Sequence, residues 1–187
     1  LGVLSTLVRP SSGAIAYGTR TAEEWGDALR SRIGVLGHDL FLYGDLTASE
    51  NLHFFARLYG LPNPDAVVSR ALANGRLTDR AHDRVGAFSR GLRQRLALER
   101  ALIHGPRLIL LDEPFTGLDD ASAALLIDRL RQLAASGAIV VMATHDFDLA
   151  DAVVDEPICL SSGRLVPMTG AGSLRQRYRD ALAAEGA

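Results

Sequence analysis

The apolar positions of this chain fall into two patterns. Short uninterrupted runs read as buried strands, because they are too brief for isolated helices. These are Arg32-Ile33-Gly34-Val35-Leu36, Arg107-Leu108-Ile109-Leu110-Leu111 and Ala138 to Ala143. Elsewhere apolar residues recur at helical spacing. Leu1 to Val8 reads as an amphipathic helix that stops at the turn Arg9-Pro10-Ser11-Ser12-Gly13, and Glu23 to Ser31 as a second helix. Thr47 and Glu50 form a capping-box pattern at the start of a helix running to Tyr59. Further helices are predicted over Asp65 to Asn74, Ser89 to His104, Ala121 to Ala135, Asp148 to Val154 and Leu174 to Ala184. Ala14 to Gly18 reads as a short strand, and Ile158 to Val166, turning at Ser161-Ser162-Gly163, as a hairpin.

Strands and helices mix at both ends, whereas Asp39 to Pro106 is nearly all helix. The prediction is an α/β core interrupted by an α-helical insertion. The length, 187 residues, suits that single unit. A net charge of −2 supplies no global positive field, so no nucleic-acid partner is expected. The single cysteine excludes an internal disulfide, and no apolar run reaches the roughly 20 residues that span a bilayer. All 20 basic residues are arginine. Chemistry that needs a lysine, whether a Schiff base or a lysine on a nucleotide's phosphates, therefore has no residue here to perform it.

The candidate chemistry gathers at strand ends. Leu108 to Leu111 delivers two adjacent carboxylates, Asp112 and Glu113, before Pro114. In open α/β sheets ligands bind beyond the carboxyl ends of the strands, where one carboxylate can serve a metal while its neighbour faces a water. A second buried strand ends in Thr144-His145-Asp146. Upstream, Ser89-Arg90-Gly91-Leu92 opens a helix with a hydroxyl and free backbone N–H groups, the makings of an anion site. Alone, an ordinary serine N-cap accounts for Ser89. The helix from Arg90 to His104, about 20 Å long at 1.5 Å per residue, is expected to separate that site from Asp112 and Glu113.

Taken in order, these residues resemble the nucleotide-binding subunit of ABC transporters. Phe88-Ser89-Arg90-Gly91-Leu92 is similar to the family signature, with Arg90 and Leu92 departing from it. Leu108 to Pro114 resembles Walker B, Thr116-Gly117-Leu118-Asp119 the D-loop, and Thr144-His145-Asp146 the switch histidine. The resemblance implies a P-loop NTPase (RecA-like) core formed by 1–38 and 104–187, with a helical signalling subdomain over 39–103. It implies ATP and Mg²⁺ as cofactors, with Glu113 and His145 catalytic and Asp112 on the metal. Ser89, Gly91, Asp119 and His38 would bind nucleotide; His38, at the position where the family usually has the Q-loop glutamine, would also ligate the metal. The implied partners are a second nucleotide-binding subunit, closed head to tail, and a membrane-spanning subunit docked near Asp39 to Arg57. The chain would then sit at the cytoplasmic face of the membrane, held through those partners.

The family's G-x-x-x-x-G-K-[ST] is not among these residues. Leu1 reads as lying inside the helix that follows it, so the chain is expected to be a truncated piece. Gly37-His38 with Leu46-Thr47-Ala48-Ser49-Glu50-Asn51-Leu52 resembles the haem exporter ATPase of cytochrome c biogenesis. Multidrug or polysaccharide exporters remain open, as do a soluble ABC-type ATPase acting on ribosomes or DNA and a non-hydrolysing interaction module.

Overall fold

The computed structural model describes residues 1–185. Its first residues form turns rather than the helix expected over Leu1 to Val8. Ser5 N–H donates to Leu1 O, but Thr6 takes a left-handed φ of +63° and Val8 N–H returns to Gly2 O. Leu1 and Leu4 still pack against a buried cluster of Leu29, Ile33 and Leu110, so the apolar spacing recorded burial and not helix.

A minimal hairpin follows, β1 (Ala16–Tyr17) against β2 (Arg20–Thr21). Thr21 then caps α1 (Ala22–Trp25) through a capping box with Glu24. Gly26, at φ +56°, ends that helix, and Gly26–Arg32 continues as a 3-10 helix burying only Leu29. The single helix expected over Glu23 to Ser31 is thus two short pieces, because a left-handed glycine interrupts the α ladder.

Strand β3 (Ile33–Leu36) leads to α2 (Ala48–Leu58), α3 (Pro64–Asn74) and α4 (Arg90–Leu102). The Thr47–Glu50 capping box predicted for α2 is formed. Then come β4 (Leu108–Asp112), α5 (Asp120–Ala135), β5 (Ile139–Ala143) and α6 (Phe147–Ala150). The hairpin β6 (Ile158–Ser161) with β7 (Arg164–Pro167) and α7 (Leu174–Glu185) complete the order. Helix α6 is shorter than expected over Asp148 to Val154. Asp146 caps it one residue early, and the chain turns after Ala150.

Strands β3, β4 and β5 form a parallel sheet in that order, with Leu36 opposite Leu111 and Asp112 opposite Ala143. Their carboxyl ends therefore share one edge. Central β4 has its middle residues buried, but β5 is only half-buried, since it pairs on one side alone. The second buried strand expected from its sequence is thus a half-buried strand at the edge of the sheet formed by the described residues.

Helix α4 joins two buried clusters. Leu96 and Ile103 pack with Leu52, Val68 and Leu77 of the helical segment; Ala97, Leu98 and Leu102 pack with Leu36, Ile109 and Leu126 around the sheet. Near its end, α4 lies so close to β3 that a Cβ on Gly34 would come 2.5 Å from Ala101 O. Near its start, Gln94 Nε2 donates to Pro114 O at 3.0 Å, just beyond β4. The helix therefore runs against the strand direction and brings its N-terminus back to the edge where β4 ends. This overturns the expected one-helix separation between Ser89-Gly91 and Asp112-Glu113: the helix retraces the distance that the strand covers. Among the described residues, no helix is long and apolar enough to cross a membrane.

Candidate functional site

Three strand ends meet at the shared edge. After β4, Glu113 takes a left-handed φ of +47°, uncommon for a residue with a side chain. Its N–H continues the ladder to Ala143 O at 2.8 Å, and its C=O accepts from Thr116 N–H. Pro114 and Phe115 behind it are buried. The turn thus holds its backbone in place while the Glu113 carboxylate stays half-exposed.

Both oxygens of that carboxylate are engaged. Oε1 lies 2.7 Å from His145 Nδ1, and Oε2 accepts from Thr144 Oγ1 at 3.2 Å. The hydrogen bond to Glu113 raises His145 above the ordinary histidine pKa, and the carboxylate's charge acts in the same direction. Thr144 also accepts from Asp146 N–H, and Asp146 caps α6, so the segment carrying His145 is braced at both ends. The Thr144-His145-Asp146 run gives Thr144 no role of its own from the sequence; its hydroxyl directly before the strand-end histidine is the signal that marks it.

Asp112, one residue before Glu113, is exposed at the end of β4. Its donor chemistry fits Mg²⁺, which takes one or two carboxylates together with waters and phosphate oxygens. Among the described residues no three His, Cys, Asp or Glu side chains form a metal cage, so Asp112 fits an ion completed by phosphate and not a resident protein site. His38 leaves β3 beside the same edge, but it is exposed and belongs to no such cluster. Its imidazole is also a poor match for a hard, oxygen-seeking ion.

The signature residues form a second group at the same edge. Ser89 caps α4, accepting from Leu92 N–H at 3.3 Å. Gly91 packs on α5: a Cβ there would lie 2.5 Å from Ser122 Oγ. Arg90 lays its guanidinium over Gly117, where a Cβ would meet it at 2.7 Å. Asp119 spends its carboxylate on capping α5 through Ser122 N–H at 2.7 Å, and that bond holds its pKa below the usual carboxylate range. These contacts run to α5, and the Glu113–His145 pair forms its own group beside them.

Chemically, the edge offers an acceptor for a water proton, a polarised imidazole, an exposed carboxylate for a cation and free N–H groups for an anion. It offers no lysine for a phosphate cradle.

The fold is shared with a solved ATP-binding subunit of an ABC transporter, at TM-score 0.83 and 25% identity over 97% of this chain and 81% of that one. A dimeric ATP-binding cassette in a post-hydrolysis state, bound to ADP and Pi, matches at TM-score 0.77 and 24% identity, covering 91% of this chain and 79% of that one. The ABC transporter ATP-binding protein NatA of Bacillus subtilis (strain 168) is 35% identical over 96% of this chain and 74% of its own length. A fluoroquinolones export ATP-binding protein of Mycobacterium tuberculosis (strain CDC 1551 / Oshkosh) is 36% identical over 92% of this chain, which spans 57% of that relative. The ABC transporter family model matches residues 1–116, through the Asp112-Glu113-Pro114 turn. The chain belongs to the ABC transporter ATP-binding family.

Proposed function

We propose that this chain works as the ATP-hydrolysing subunit of an ABC exporter, docked on a membrane-spanning partner and paired with a second nucleotide-binding subunit. The observation that carries the reading is the Glu113 carboxylate, fixed on left-handed backbone and bonded to His145 at 2.7 Å beside exposed Asp112. A carboxylate has about four lone-pair sites. Glu113 can therefore keep His145 and Thr144 while accepting a water, orienting it for attack and taking its proton. Nδ1 of His145 donates to the carboxylate, which leaves Nε2 facing outward to stabilise negative charge developing on a phosphoryl group. Asp112 would hold Mg²⁺, which neutralises phosphate charge when bound.

In this reading Ser89 and Gly91 serve the nucleotide of the partner subunit, with Asp119 holding the start of α5 against which Gly91 packs. The dimeric cassette with the same fold supports a two-subunit assembly. We take 39–103 as the signalling unit and 1–38 with 104–187 as the ATPase core; α4, which packs into both clusters, supports motion passing between them. Relatives named for fluoroquinolones export and for Nod factor export support the exporter class, and their names point to different cargoes. The haem-export resemblance of Gly37-His38 and Leu46–Leu52 gains no support from those names.

The test is Glu113→Gln in a chain that also carries a G-x-x-x-x-G-K-[ST] segment. The amide keeps the shape but cannot take a proton. Turnover is expected to fall by about two decades or more, roughly 3 kcal/mol, with ATP affinity retained. Unchanged turnover removes Glu113 from this role.

A further inference from the structure

We propose that Gln94 is a positioning residue that links the signature turn of α4 to the turn displaying Glu113. Resting on the two-subunit reading above, this link makes occupancy at one nucleotide site felt at the other.

Gln94 lies three residues after Gly91, on the first turns of α4. Its side chain is buried, and its Nε2 donates to Pro114 O at 3.0 Å across 20 residues of sequence. Pro114 follows Glu113, whose left-handed φ of +47° is a conformation that costs free energy and persists only where surrounding contacts over-determine it. The turn is restrained from the sheet side by Glu113 N–H on Ala143 O and from within by Thr116 N–H on Glu113 O. From α4 the turn receives the side-chain hydrogen bond of the Gln94 amide, beside the packing of Arg90 over Gly117. Chemistry favours an amide here. The site needs a donor for a buried carbonyl, and a lysine or arginine would bury a charge on a proline oxygen that can offer no counter-charge.

The consequence follows from geometry. Ser89 and Gly91 sit on the same rigid helix as Gln94, and a helix turn transmits displacement without needing a flexible path. When an anion draws the start of α4 forward, Gln94 moves with it and pulls on Pro114. The adjacent Glu113 is then re-aimed relative to His145 and Thr144. With the signature serving one nucleotide and Glu113 another, a single buried hydrogen bond spans the two sites within one chain.

The test uses Gln94→Met, which fills the same space without a donor. Hydrogen exchange on the intact chain needs no nucleotide. Amides of Thr116 and Leu118 are expected to exchange about tenfold faster, the effect of one lost hydrogen bond, while Leu96 to Ala101 keep their rates. In the dimeric ATPase, the Hill coefficient for ATP is expected to fall toward one. Should Gln94→Met fail to fold, Gln94→Asn keeps the amide but falls one methylene short of Pro114 O and serves in its place. Unchanged exchange at 116–118, loosening spread equally along α4, or intact cooperativity each overturns the proposal. Failure of the hydrolytic reading shows separately, as turnover surviving Glu113→Gln.

Discussion

His145 Nδ1 lies 2.7 Å from Glu113 Oε1, which joins the ends of two neighbouring strands into one hydrogen-bonded pair. A carboxylate only accepts, so Nδ1 carries the proton and the tautomer is set by Glu113. The same bond raises the histidine's pKa. The shift is toward the imidazolium, whose second N–H, directed away from Glu113, is the group suited to meeting an anion.

That pairing has a titration signature. In an NMR titration, His145 is expected to lose its proton at a higher pH than an ordinary histidine, and Glu113→Gln should return it toward the ordinary value. The folded pKa lies above the unfolded one, so the pair's contribution to stability is complete below the unfolded pKa. It disappears as pH rises through the folded value. Because His145 is largely exposed, the expected change in global stability is slight. A His145 resonance that titrates identically in wild type and Glu113→Gln would refute the assignment.

A second ionic pair behaves differently because it is buried. Arg129 donates through Nε and Nη2 to the two oxygens of Glu99, at 2.8 and 3.1 Å, tying α5 to α4. Burial raises the Glu99 pKa, with Arg129 opposing that shift. Arg129→Met leaves the carboxylate buried without its partner, which is expected to cost about 3 kcal/mol or more near neutral pH. A group with a raised folded pKa loses stability as pH rises, so the variant should be more impaired at pH 8 than at pH 5, where Glu99 can take up a proton. Urea unfolding at the two pH values measures it. Equal losses at both would mean that the pair is screened by solvent.

The strands of the parallel sheet and the Thr47 and Ser89 caps were legible in the sequence because each rests on local chemistry, whereas the short strand Arg20–Thr21 and the Thr21 cap were not. Leu108 to Leu111 could only be a buried strand, and Thr47 with Glu50 could only be a cap. The Asp112-Glu113 and His145 placements followed, since parallel strands must end at a common edge. What stayed hidden depended on tertiary partners. Leu1 to Val8 has helical spacing, yet its burial is met by turns lying on Ile33 and Leu110. The direction of α4 against β4 cannot be read from spacing, so its N-terminus seemed remote from the strand end that it adjoins. For the same reason Gln94, an ordinary glutamine within a helix, carried no signal until Pro114 O appeared opposite it.

The absence of lysine gives a binding prediction for these 187 residues as they stand. Lysine and backbone amides of a glycine-rich loop supply the main phosphate contacts in P-loop sites. A fluorescent ATP analogue titrated into the purified polypeptide is expected to bind weakly, with little dependence on Mg²⁺. Micromolar, Mg²⁺-dependent affinity would show that Asp112 and its neighbours hold nucleotide without that loop.

The signature offers the sharpest test of a two-subunit mechanism, provided that its packing within one chain is first removed from the comparison. A Cβ on Gly91 would meet Ser122 Oγ at 2.5 Å and Ser122 Cβ at 3.2 Å, so any side chain at 91 pushes on the first turn of α5. Gly91→Ala alone is therefore expected to lower stability by about 1–3 kcal/mol through overpacking. Ser122→Gly removes both opposing atoms while leaving the backbone N–H that Asp119 needs, so the Gly91→Ala/Ser122→Gly pair should recover most of that loss. On this cleared background a charge can be tested for itself. Gly91→Asp/Ser122→Gly places a carboxylate where the partner's phosphate is proposed to lie, and like charges in a desolvated interface repel strongly. In a chain carrying a G-x-x-x-x-G-K-[ST] segment, ATP should still bind the monomer. ATP-driven dimerisation, followed by sedimentation, should be lost for the Asp pair and kept for the Ala pair. Dimerisation of the Asp pair at wild-type ATP concentrations would mean that Gly91 faces α5 alone and that the signature does not read a partner's nucleotide.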